Sequence, residues 1–78
     1  NVLTLNGDGI NEQITFRNIN LYGNCKLLIY NRYGTPIISI PNYQQVNNYT
    51  PSSLAEGMYY YQLQSARAVV KGWLVIVR

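Results

Sequence analysis

Residues 57–78, GMYYYQLQSARAVVKGWLVIVR, decide the fold class. Within 58–65, Tyr59, Tyr61 and Leu63 fall at every second position. Within 69–77, Leu74 and Ile76 fall on the face opposite Trp73, Val75 and Val77. A period of two marks extended chain, because successive Cβ atoms of a strand point to opposite sides. Ala66 and Arg67 separate the two runs, so the segment predicts an antiparallel hairpin.

Working upstream, residues 36–40 form a third run, opened by Pro36, whose missing N–H does least harm at a strand start. Asn31-Arg32-Tyr33-Gly34 reads as a turn before it. The run KLLIYN at 26–31 is apolar on both faces and therefore predicts a central strand. Residues 12–19 alternate Ile14 and Phe16 with Gln13, Thr15 and Arg17, which predicts a half-buried strand ended by Gly23 and Asn24. Asn6-Gly7-Asp8-Gly9 is a strong turn signal, since Asn, Asp and Gly all tolerate positive φ. The polar stretch 41–53 reads as a loop, with a short strand expected near Tyr43–Val46. No window of about eleven residues has helical spacing. The pattern predicts an all-β chain folded as an antiparallel sandwich.

With 78 residues there is one domain, and its apolar content of 47% against 12% charged excludes a charge-rich disordered segment. The net charge is +3, but Arg17, Lys26, Arg32, Arg67, Lys71 and Arg78 do not cluster. That argues against nucleic acid, which calls for a basic stripe or patch. No apolar run is long enough to insert into a membrane as a helix. Cys25 is the sole cysteine, so an internal disulfide is excluded and we expect a packed small side chain. The chain opens on Asn1 rather than Met, and we read residues 1–78 as a single domain cut from a larger exported protein.

The chemical inventory is thin. There is no histidine, and the carboxylates are Asp8, Glu12 and Glu56. The usual general base and the commonest zinc ligand are therefore missing, and we expect neither an enzyme nor a cofactor. One ion site can be drawn, with Asn6, Asp8 and Glu12 at alternate positions of a Ca²⁺-loop pattern. Thr4 and Thr15 stand where that pattern wants acids, so a tight turn stapled by Asn and Asp side chains is the preferred reading. Tyr59-Tyr60-Tyr61, Tyr33 and Trp73 allow a sugar-stacking platform. Alternation instead predicts Tyr59 and Tyr61 in the core and Tyr60 at the surface.

Four segments, taken in order, carry a family resemblance. They are Asn1-Val2-x-Thr4-x-Asn6-Gly7-Asp8-Gly9-x-Asn11-Glu12, Leu27-x-Ile29-Tyr30-Asn31-Arg32-Tyr33-Gly34, Leu54-x-x-Gly57-x-Tyr59-Tyr60-Tyr61, and Lys71-Gly72-x-Leu74-x-Ile76-x-Arg78. Together they resemble the gliding motility-associated C-terminal domain, the type B sorting domain of the type IX secretion system. The resemblance implies an immunoglobulin-like antiparallel β-sandwich of about six to seven short strands. It also implies a non-catalytic sorting signal that outer-membrane type IX secretion components read, for export and surface attachment of a larger protein such as an adhesin. The residues it implies in partner recognition are Asn6, Gly7, Asp8, Gly9, Asn11, Asn31, Arg32, Gly34, Lys71, Gly72 and Arg78. The chain departs from the family at Leu5, where Pro is usual, and at Gly23, where a Tyr-Pro pair is common. Tyr33 replaces a frequent Trp, and the stretch 43–53 lacks the usual Trp-Asp-Gly hairpin.

Two other classes of function stand beside this one. A carbohydrate- or adhesion-type binding sandwich would require at least two coplanar exposed rings, so the exposure of Tyr60, Tyr33 and Trp73 discriminates. An inert immunoglobulin-like repeat of a surface array would require the chain to continue beyond Arg78.

Overall fold

Alternation along the chain becomes a five-stranded sheet in the computed structural model, which describes residues 2–4 and 12–77. The strands are β1 (Val2–Thr4), β2 (Cys25–Tyr30), β3 (Pro36–Ile40), β4 (Gly57–Ser65) and β5 (Val69–Val77), arranged in the order β1-β5-β4-β2-β3. The expected hairpin is β4 and β5, paired antiparallel from Gly57↔Ile76 to Gln64↔Val69. Ser65 closes its turn. The backbone N–H of Ser65 donates to the Ala68 carbonyl at 3.0 Å, and its hydroxyl oxygen accepts from the N–H of Ala68 at 3.1 Å. β2 is central, with β4 on one side and β3 on the other.

One face of this sheet is dry. Cys25, Leu27, Ile29, Leu63, Leu74 and Ile76 are buried there, joined by Ile14, Ile19 and Tyr43 from outside the five strands. Each fully buried aliphatic side chain contributes roughly 1.5–3 kcal/mol relative to exposure. A layer of turns, rather than a second extended sheet, covers that face among the described residues. It comprises a 3₁₀ turn at Ile19–Tyr22 and a single helical turn, α1 (Tyr43–Val46).

Three expectations need correction. The strand expected over 12–19 is not formed: Ile14 makes one isolated bridge to Tyr49, and the chain then turns through Asn18, at φ 57°, into the 3₁₀ turn. Its inward pattern survives, since Ile14 is buried and Phe16 packs on the core. Extended pairing stops because Phe16 finds a side chain where a neighbouring strand would be. The Phe16 N–H donates to Asn47 Oδ1 at 2.8 Å, and Asn47 Nδ2 donates back to the Phe16 carbonyl at 3.2 Å.

The short strand expected at Tyr43–Val46 is instead α1, bounded by Asn42 at φ 54° and Asn47 at φ 46°. Left-handed Asn at both ends wraps the chain into one turn and swings Tyr43 inward. Finally, the sheet is not wholly antiparallel. β1 runs parallel to β5 in the register Val2↔Val75, Leu3↔Ile76 and Thr4↔Val77.

Candidate functional site

The Asn31–Gly34 turn joins β2 to β3, with Arg32, Tyr33 and Gly34 exposed. The Gly34 N–H donates to the Asn31 carbonyl and the Asn31 N–H to the Thr35 carbonyl, each at 2.9 Å. Arg32 and Tyr33 keep negative φ, whereas Gly34 sits at φ +85°. This is a type I turn followed by a left-handed residue, one of the favoured longer hairpin connections. Asn31 stiffens it from within: its Oδ1 accepts from the N–H groups of Tyr33 at 2.9 Å and Thr35 at 3.0 Å. An Asn side chain holding backbone two residues ahead is an Asx turn.

The turn carries two exposed side chains. Arg32 Nη2 donates to the Tyr33 hydroxyl at 2.9 Å, and the guanidinium carbon lies 5.0 Å from the Tyr33 ring centre. Tyr33 is 77% exposed. Arg32 and Tyr33 thus form one cationic, aromatic projection on a rigid base.

The other resemblance-derived positions fall in different roles. Lys71 is an exposed residue of β5. Gly72 faces inward, directly opposite Tyr61 on β4. A Cβ at 72 would lie 2.5 Å from the Tyr61 hydroxyl oxygen, so Gly72 makes room for a ring rather than offering a contact. Asn6, Gly7, Asp8, Gly9, Asn11 and Arg78 lie outside the described residues. The calcium candidate is therefore placed only at Glu12, and no cluster of three metal-ligating side chains occurs among the described residues.

Several structural side chains carried no obvious signal in the sequence. Tyr43 is fully buried, and its hydroxyl donates to the Ile14 carbonyl and accepts from the Tyr49 N–H. It bolts together the two residues of the isolated bridge. Burial pushes this hydroxyl above the ordinary tyrosine value, while the Tyr49 N–H pulls partly back. Gln44 Oε1 accepts the Cys25 N–H at 3.0 Å at the start of β2, and Gln44 Nε2 donates to Asn24 Oδ1 at 3.1 Å. Cys25 is buried, as expected of a packed small side chain.

Comparison with known families decides what this frame belongs to. A family model described as the CHU_C type IX secretion signal domain matches residues 1–76. The chain belongs to that family. No curated protein and no solved structure matches it.

As a type IX secretion signal domain, the chain serves as a sorting signal. The resemblance drawn from its four segments and the match from the family model agree over nearly the whole chain. The secretion signal domain brings Asn31, Arg32 and Gly34 together in one turn. It leaves Lys71 on a different part of the sheet, and Gly72 in the packing beneath Tyr61. In the strands, alternation placed Tyr60 at the surface and Trp73 on the face opposite Leu74 and Ile76, and the two are 43% and 50% exposed.

Proposed function

We propose that the secretion machinery reads this domain as a folded, non-catalytic surface, and that the Asn31–Gly34 turn and β5 are among the features it contacts. The family match over residues 1–76 carries the reading. Physical support comes from the turn, where Asn31 holds Arg32 and Tyr33 in a fixed presentation before any partner arrives. A preorganised contact loses less side-chain and loop entropy on binding. The lack of histidine supports a role without catalysis.

The finer expectations belong to the same proposal. Residues 1–78 form one module of a larger exported protein, whose passenger crosses the outer membrane to the cell surface. The partners are outer-membrane components of the type IX system. The immunoglobulin-like sandwich is kept as the parent architecture. In support, the Ile14–Tyr49 bridge lies in the layer covering the sheet, where a second sheet would run. Asn6, Gly7, Asp8, Gly9, Asn11 and Arg78 remain proposed contacts on the strength of the resemblance.

A carbohydrate-binding reading asks for exposed rings at Tyr33, Tyr60 and Trp73, and all three are exposed. The Tyr33 ring, however, is engaged by the Arg32 guanidinium, which favours the sorting reading. The test is a reporter fused ahead of residues 1–78 in a host with an active type IX system. Export to the surface or medium is expected. A folded reporter retained in the periplasm would defeat the proposal.

A further inference from the structure

The sheet has a second face that no described element covers; aromatic side chains gather at one end, and both lysines of the strands with two glutamines, beside Leu28 and Val69, at the other. Register aligns Tyr30 with Tyr60 and Tyr60 with Trp73, giving one aromatic row across β2, β4 and β5. At the usual strand spacing of about 4.8 Å, that row spans roughly 10 Å. The pair Met58↔Val75 lies next to it. Met58, Tyr60 and Trp73 are 47%, 43% and 50% exposed.

Toward the other end of the same face the character changes. Gln62 is opposite Lys71, and Gln64 is opposite Lys26, so two lysines flank β4 from either side. Gln64 Nε2 donates to Gln62 Oε1 at 2.6 Å, tying the amides together between them. Lys26 and Lys71 are the only charged residues in β1 to β5, and no strand contains an acid. Beyond Lys26 the surface continues into an open groove of about 520 Å³, with Asn24, Asn42, Gln64 and Ser65 among its lining residues.

We propose that this face docks a protein of the export apparatus that presents carboxylates beside an apolar patch. The inference rests on the sorting reading and extends it from the turn to the sheet. Charge complementarity selects the partner: two lysines on a sheet whose strands carry no acid favour carboxylates, and like charges would be repelled. The aromatic row, with Met58, has the composition enriched in the buried centres of protein interfaces, and the lysines occupy a rim position. A lipid surface suits the face less well. Gln62 and Gln64 carry directional donors and acceptors that an acyl boundary would leave unsatisfied. Fluctuating sugar chains gain from Tyr60 and Trp73 but little from Met58 or Val75.

The reporter fusion tests this with the variants K26E/K71E and W73S, made at exposed positions away from the core. Circular dichroism and melting of each fusion should match the unsubstituted domain, whereas export should fall at least tenfold. K26R/K71R should export normally, because it keeps both charges. Export of K26E/K71E and W73S at the unsubstituted level would overturn the docking face while leaving the sorting reading intact. Failure of the unsubstituted fusion to leave the cell would overturn both. Two further outcomes would name a different occupant and overturn the proposal. One is concentration-dependent dimerisation, abolished by W73S, in a domain whose variants still export. The other is binding of the domain to anionic phospholipid vesicles or to alginate, lost in K26E/K71E, with export unaffected.

Discussion

The ring of Tyr61 lies across Gly72 on the neighbouring strand, so closely that a Cβ at 72 would come within 2.5 Å of the hydroxyl oxygen and 2.6 Å of Cζ. The same ring meets Phe16 edge-on, with centroids 5.6 Å apart, and Phe16 in turn meets Tyr43 at 6.0 Å. Gly72 is therefore the floor of an aromatic chain that links the sheet to its covering layer.

Replacing that floor should be felt through the ring. G72A must push Tyr61 aside and disturb its contact with Phe16, at a cost of about 1–3 kcal/mol, the usual range for overpacking. Urea unfolding would measure it. In Y61L the ring is gone, so adding G72A to Y61L should cost clearly less than G72A alone. Additive effects would show that the two residues are not coupled.

Tyr43 offers a second test. Y43F keeps the ring but leaves the Ile14 carbonyl and Tyr49 N–H without their shared hydroxyl. Loss of about 1–3 kcal/mol is expected for groups left unsatisfied on burial. Amide exchange at Tyr49 should accelerate more than exchange in β4 and β5.

The same hydroxyl sets an alkaline limit. Its native pKa is raised above the reference of 10.0, chiefly by burial. Between the reference value and the native value, the unfolded chain has released this proton and the folded chain has not. The unfolded state then binds fewer protons, so stability falls as pH rises. The contribution is complete below about pH 10 and disappears as pH climbs through the raised native value. Chemical unfolding from pH 8 to 11.5 should show a steeper decline for the unsubstituted chain than for Y43F.

Asn47 does two jobs, and separate variants can divide them. Its amide pairs with both backbone groups of Phe16, and its φ of 46° lies in the left-handed region. N47G keeps the backbone freedom and loses the pairing. N47A loses both and should be the less stable by about 1 kcal/mol. N47D retains an acceptor for the Phe16 N–H but sets a carboxylate oxygen against the Phe16 carbonyl. Thermal melting should therefore place N47D below the parent chain.

At the Asn31–Gly34 turn, stability and export should separate. N31A removes the bonds to Tyr33 and Thr35 from an exposed turn, at a cost of about 0.5–1.5 kcal/mol for each net hydrogen bond at most. G34A forces a side chain into φ +85°, at about 1–3 kcal/mol. R32A touches no backbone bond and should melt like the parent. If the turn is a contact, R32A should nevertheless lower reporter export severalfold; unchanged export would remove Arg32 from the recognised surface.

The strands were legible from local pattern because side-chain direction in extended chain depends on nothing beyond the residue's own backbone. That is why β3 and β5 match their expected bounds, Pro36–Ile40 and Val69–Val77, and why β2 and β4 differ from theirs only at the ends. The four ordered segments also sufficed to point to the family that the match over residues 1–76 shows. Periodicity misjudged the covering layer, because Ile14 and Phe16 alternate as in a strand while their pairing partners, Tyr49 and Asn47, are 35 and 31 residues distant. Asn and Gln look like loop residues until their amides meet particular backbone groups. Only the folded chain decides that meeting.

Register is the other matter that tertiary structure settled. Alternation sets Tyr60 at the surface and Trp73 on the face opposite Leu74 and Ile76, but the run at 26–31 is apolar on both faces, and only strand pairing sets Tyr30 in one row with them beside two lysines. A slip of one residue would send each side chain to the opposite face. The alphabet of the surface was written along the chain, and its arrangement came from hydrogen bonds between strands.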